Sequence, residues 1–175
     1  MLRSAFAVLL SLSGAAVAQE RAVTPVISGY GAVVPLPDAV EQPAKGSKVV
    51  IEVTGTGKEA GQPLPGLVRA ATLLNLAGAS GLKASDLEIV VVLHGDATSA
   101  ALNDATYKVS GRDHPHADLM KKLNGAGVKI LVCGQALARR GYDPKSVRGE
   151  VKVAASAVTA VVNLQGKGFA YVLAP

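Results

Sequence analysis

The sequence predicts a three-layer α/β/α sandwich built on a mostly parallel sheet of about five strands. Three observations carry that expectation. Strand-like apolar runs alternate with helical patterns about four times between Lys48 and Pro175, as in strands joined by right-handed crossovers. The segment "LEIVVVLHG" (Leu87 to Gly95) is almost continuously apolar, the mark of a strand covered on both faces. Finally, 175 residues that are 49% hydrophobic and 18% charged suit one domain with a sizeable core and exclude a disordered chain.

The opening "MLRSAFAVLLSLSGAAVAQE" has a positive start at Arg3, an apolar centre from Ala5 to Leu12 and a small-x-small site at Ala16-Val17-Ala18. That is the layout of a secretory signal peptide. Residues 1–18 are expected to be cleaved before Gln19, leaving an exported, soluble protein, periplasmic in a Gram-negative source. The apolar stretch is shorter than the ~20 residues of a spanning helix, so no membrane association is expected after cleavage. Residues 19–46 carry prolines at 25, 35, 37 and 43, a density that forbids a helix and suits an extended arm. Its apolar residues Val26, Ile27, Tyr30, Val33, Val34 and Leu36 need a surface to lie on, in this domain or a neighbouring subunit.

The domain proper spans 47–175. "KVVIEVTG" (Lys48 to Gly55) is β-branched and reads as a strand. "PGLVRAATLLNLAGASG" places Leu67, Ala71, Leu74 and Ala77 on one helical face, with Gly81 as a stop. After the strand ending near Gly95, Asp96 or Thr98 can cap a short helix running to about Asn103. A loop from Tyr107 to Pro115 then leads into "HADLMKKLNGAG", whose buried stripe is Leu119, Met120 and Leu123. "VKILVCG" is a third buried strand and "QALARRG" a short helix. "EVKVAAS" (Glu150 to Ser156) is a fourth strand with Ser156 as a natural N-cap. "AVTAVVNLQGKG" is a helix stopped by Gly166 or Gly168, and "FAYVLA" closes the sheet.

The net charge is +5, one unit less without Arg3, and the basic residues are scattered. Aromatics make up 3% and tryptophan is absent, so neither an electrostatic footprint nor a stacking platform for nucleic acid is present. A single cysteine excludes an intramolecular disulfide. No P-loop, G-x-G-x-x-G, nucleophile-elbow serine or C-x-x-C occurs, and no cofactor is expected. "TGTGKEAG" (Thr54 to Gly61) matches no phosphate cradle and reads as a loop.

Ligands of α/β sheets sit at the carboxyl ends of strands, and Cys133 closes the third buried strand just before Gly134. There the amides of Gly134 and Gln135, at the positive end of a helix, would favour a solvent-reachable thiolate. The plainer alternative is a small buried hydrophobe. His94 ends another strand on the same edge and is placed to act as proton donor, base or anion-binding group. Its alternative is a partly buried histidine satisfied by a backbone carbonyl. Two strands flanking a central one would hold imidazole and thiol too far apart for a direct pair. His114 and His116 in "DHPH" have a spacing that can hold copper or zinc, but no third ligand is nearby; a helix-entry role suffices.

The segments "GYGAVVPLPDA", "KVVIEVT", "VVVLHGDAT", "VKILVCGQALARRG" and "VKVAASAVTAVVNLQGKGFAYVLAP" resemble the exported branch of the DsrE/DsrF-like family, over roughly Ser28 to Pro175. The resemblance implies a three-layer α/β sandwich assembled as homotrimers or hexamers. It also implies a sulfur relay on a cysteine persulfide between donor and acceptor partners. Cys133 before "QALARRG" occupies the carrier's place, with His94, Gly134 and Gln135 lining the pocket. The competing expectation is a non-enzymatic homo-oligomeric binding module in which Cys133 is structural.

Overall fold

The computed structural model describes residues 22–57, 61–108, 111 and 113–174. The expected signal peptide, and parts of the 54–61 and 107–115 loops, lie outside these residues. Five strands form one sheet: β1 (Lys48–Val53), β2 (Glu88–Leu93), β3 (Lys129–Cys133), β4 (Val151–Ala154) and β5 (Ala170–Ala174). Their order is β4-β3-β2-β1-β5, and every neighbouring pair is parallel.

The connections explain the layers. From β1 to β4 the chain steps one strand at a time in one direction, through α1 (Pro65–Ala79), α2 (Asp104–Lys108), α3 (Ala117–Gly125) and α4 (Gly134–Arg139). From β4 it returns through α5 (Ala157–Gln165) to β5, on the far side of β1. Right-handed crossovers put helices on one face while the chain advances and on the other when it returns. The first face therefore receives α1, α3 and α4; the second receives α5 alone.

Packing follows this division. On the first face Leu67, Leu74, Leu119, Met120, Leu123 and Leu137 are buried against Ile51, Val53, Ile89, Val91, Leu93, Ile130 and Val132. On the second, a smaller cluster joins Val50, Val90, Val92, Cys133, Ala157 and Phe169. Strand alternation assigns the two sets. The single helix leaves apolar surface open on the second face: Val158 is 72% exposed, Val162 61% and Leu173 49%.

Several local expectations shift. Residues 95–101 form a 3-10 helix behind His94, with neither Asp96 nor Thr98 as its cap. A short α2 occupies Asp104–Lys108, partly inside the segment read as a loop. The fourth strand is confined to Val151–Ala154. Ser156 does cap α5, accepting a hydrogen bond from the Thr159 amide.

Residues 25–31 lie along the outer side of α1, whereas Val34 and Leu36, expected to pack as well, stay exposed. Ile27 is buried there, and the chain doubles back through an antiparallel bridge between Val23 and Val33. Asn75 anchors the turn from inside the helix. Its side-chain oxygen accepts from the Val26 and Ile27 amides, and its side-chain nitrogen donates to the Tyr30 and Gly31 carbonyls. Gly31 is required at this contact, because its φ is +60° and a Cβ would meet the Thr72 nitrogen at 2.5 Å. No described helix is long and apolar enough to cross a membrane.

Candidate functional site

At the carboxyl end of the sheet, β3 and β4 part company. β3 runs into α4 on the first face and β4 into α5 on the second, so the change of crossover side falls between them. This is where an open α/β sheet forms its crevice. Cys133, the last residue of β3, is paired in register with Ala154 at the end of β4. Gly134 follows because nothing larger fits: a Cβ would stand 2.9 Å from the Ala154 carbonyl oxygen.

Cys133 is only 6% exposed as a residue, a correction to the solvent-reachable position expected from the sequence. Alternation turns it toward the second face, into the aliphatic cluster beneath α5, rather than out over the rim. Cys133 is the N-cap of α4, yet its side chain makes no capping bond. The Gly134 and Gln135 amides therefore do not hold the sulfur at rest; Gly134 is half-buried and Gln135 exposed. The hollows flanking α5, about 390 and 310 Å³, are lined by Leu131 and Leu164 rather than by Cys133.

His94 stands closer to Cys133 than strand order had to allow. β2 and β3 are adjacent, Leu93 pairs with Val132, and His94 follows in extended conformation. One position beyond that pair, His94 and Cys133 are abreast on neighbouring strands, which run about 4.8 Å apart. Alternation gives both the second face. No hydrogen bond joins them among the described residues.

The imidazole leans instead toward β1, with Nε2 2.8 Å from Glu52 Oε1. A carboxylate, not a backbone carbonyl, satisfies it. The other Glu52 oxygen accepts from the Tyr171 hydroxyl on β5, which, with burial and the carboxylate charge behind it, holds the phenol above its usual range. Tyr171, Glu52 and His94 thus form a polar row across β5, β1 and the end of β2, one strand short of Cys133. Glu52 and Tyr171 escaped the sequence reading. A carboxylate inside the β-branched run "KVVIEVTG" was the available signal for the first.

The histidine pair in "DHPH" sits elsewhere, above the first face. His114 Nε2 donates to the Leu102 carbonyl at 3.0 Å, and its Nδ1 accepts from the His116 amide at 3.3 Å. Both His114 nitrogens are occupied by backbone, which leaves that ring none for a metal, whereas His116 Nδ1 is buried without a hydrogen-bond partner. His116 opens α3 as its N-cap residue, is 6% exposed and is pushed down to about 4, chiefly by burial and then by His114 and Arg148. Burial likewise lowers His114. No group of three or more metal-ligating side chains occurs among the described residues. His116 also borders a cavity of about 410 Å³ shared with Gln62, Leu64, Asp96, Ser99 and Asp113.

With this arrangement in view, the comparisons with other proteins identify the lineage. The family model described as DsrE/DsrF-like matches residues 47–173. The chain belongs to that family. A Methanobacterium thermoautotrophicum protein of unknown function has a similar structure, with a TM-score of 0.54 and 23% identity over 73% of this chain and 98% of that one. The ychN protein of E. coli gives a TM-score of 0.49 and 17% identity over 73% and 97%. At 23% identity the first of these likenesses concerns the fold alone. No curated protein matches the chain. The DsrE/DsrF-like domain thus coincides with the sheet and its helices, and leaves the arm outside.

Proposed function

We propose that this DsrE/DsrF-like protein handles sulfur, carrying a sulfane sulfur as a persulfide on Cys133 after export to the periplasm. One observation carries the reading: the lone thiol ends β3 at the change of crossover side, abreast of an imidazole tied to a carboxylate. In the transfer, Cys133 attacks the sulfane sulfur of a hydropersulfide donor. A new S–S bond forms as the donor's S–S bond breaks, and the donor leaves as a thiol. His94 takes the thiol proton and returns it to the leaving sulfur. Gly134 and Gln135 amides are the groups nearest in sequence to receive the negative charge.

Mass spectrometry after exposure to a polysulfide tests this directly. A gain of one sulfur on Cys133, about 32 Da, is expected, and it is lost on reduction. An unmodified Cys133 that remains titratable after unfolding overturns the relay.

A second reading is favoured by the burial of Cys133, 6% exposed as a residue, and the open valines of α5. In it the protein is a homo-oligomeric, non-enzymatic binding module, a trimer or hexamer, with Cys133 packed. Val162→Lys would then lower the mass in sedimentation while Cys133→Ser left assembly unchanged; a monomeric native protein would end it.

A further inference from the structure

Glu52 makes two side-chain hydrogen bonds, one from His94 and one from Tyr171. Its side chain is mostly screened from solvent, at 16% exposure against 28% for His94. A carboxylate offers only acceptors above the protonation range of acids, so a neutral imidazole facing it at Nε2 must carry its proton on that nitrogen. The lone pair then belongs to Nδ1. No described hydrogen bond occupies Nδ1, and β3 with Cys133 lies on the opposite side of β2 from Glu52.

We propose that Glu52, steadied by Tyr171, is a positioning residue that locks His94 in the Nε2–H tautomer, making Nδ1 the proton acceptor at the β2–β3 corner. This rests on the sulfur-handling reading only for its chemical purpose; the tautomer stands or falls alone. The lock narrows what His94 can do. A neutral His94 whose single N–H is committed to Glu52 cannot donate to a ligand at this corner. It accepts the proton of Cys133, directly or through one water, and passes it to the departing sulfur. The step balances as Cys133–SH plus R–S–SH giving Cys133–S–SH plus R–SH, with no oxidant or reductant required. Removing the carboxylate frees the ring to populate the other tautomer and to turn away from its acceptor role. The design parallels the general arrangement in which a third group orients a base toward its nucleophile.

The experiment uses the mature full chain labelled with ¹⁵N-histidine, read by long-range ¹H–¹⁵N correlation, together with the iodoacetamide rate at Cys133. In the native protein His94 is expected as the Nε2–H tautomer. Glu52→Leu should give mixed tautomers and slow alkylation about fivefold or more. Glu52→Gln, whose amide oxygen still accepts from Nε2–H, should restore both. A native Nδ1–H tautomer overturns the proposal, as does a folded Glu52→Leu protein with unchanged tautomer or unchanged rate. If Glu52→Leu fails to fold, Tyr171→Phe serves in its place, with a smaller shift in the same direction. Absence of a sulfur adduct on native Cys133, with the tautomer as expected, defeats the relay and leaves the lock intact.

Discussion

The two faces of the sheet are built from the same strands but finished differently. One is sealed by three helices carrying leucine and methionine. The other has one nine-residue helix, a polar row at its carboxyl edge and valines facing outward. Side chains with chemical capacity gather on the thinly covered face: Glu52, His94, Cys133 and Tyr171 all belong to it. The lesson is one of division of labour. A parallel sheet needs both faces covered to hide its apolar strands, and here the larger core lies on one face while the other keeps a polar edge.

The contrast breaks most visibly under core truncation. Leu74→Ala on the sealed face should cost about 2–5 kcal/mol, measured by urea unfolding. Should this be no larger than the cost of Val162→Ala, the asymmetry is wrong. Next in size is a pH effect confined to the first face. Ordinarily near 6.5, His116 is held at about 4 in the folded chain. Between those values the unfolded state binds more protons, so stability rises with pH. It is complete above about 6.5 and falls by up to about 3 kcal/mol as pH drops toward 4, with His114 acting in the same sense. His116→Leu should flatten that slope in denaturant titrations at stepped pH.

On the second face, Cys133→Ser places a hydroxyl in the aliphatic cluster and should cost about 1–3 kcal/mol, with Cys133→Ala costing less. Equal losses would show that the thiol is not packed as described. The smallest effect is expected for Val162→Ala, within about 0.5 kcal/mol of the native chain.

Much of this organisation was legible in the chain. "LEIVVVLHG" announces a central strand because residues covered on both sides leave no room for polar alternation, and β2 is indeed flanked by β1 and β3. Ser156 announced the start of α5 through capping chemistry that acts within one turn. What stayed hidden depends on strand order. Nothing local to His94 or Cys133 states that their strands touch, and the sequence equally allowed a strand between them. The Tyr171–Glu52 contact joins residues 119 positions apart and exists only because β5 returns to the side of β1. Burial of Cys133 was hidden for a related reason. Its depth depends on α5, which covers that face only because the final crossover reverses.

Gly134 has a mechanical implication. Only glycine lets the chain leaving β3 pass this close to the Ala154 carbonyl, and the sulfur lies beneath α5 and beside β4 rather than under α4. β4 is a four-residue strand at the margin of the sheet, hydrogen-bonded along β3 only. Reagents would then gain entry by transient fraying of that margin, and amide exchange at Val151–Ala154 should keep pace with thiol labelling as temperature rises. The gate would be a rung of backbone hydrogen bonds, and no lid would be needed.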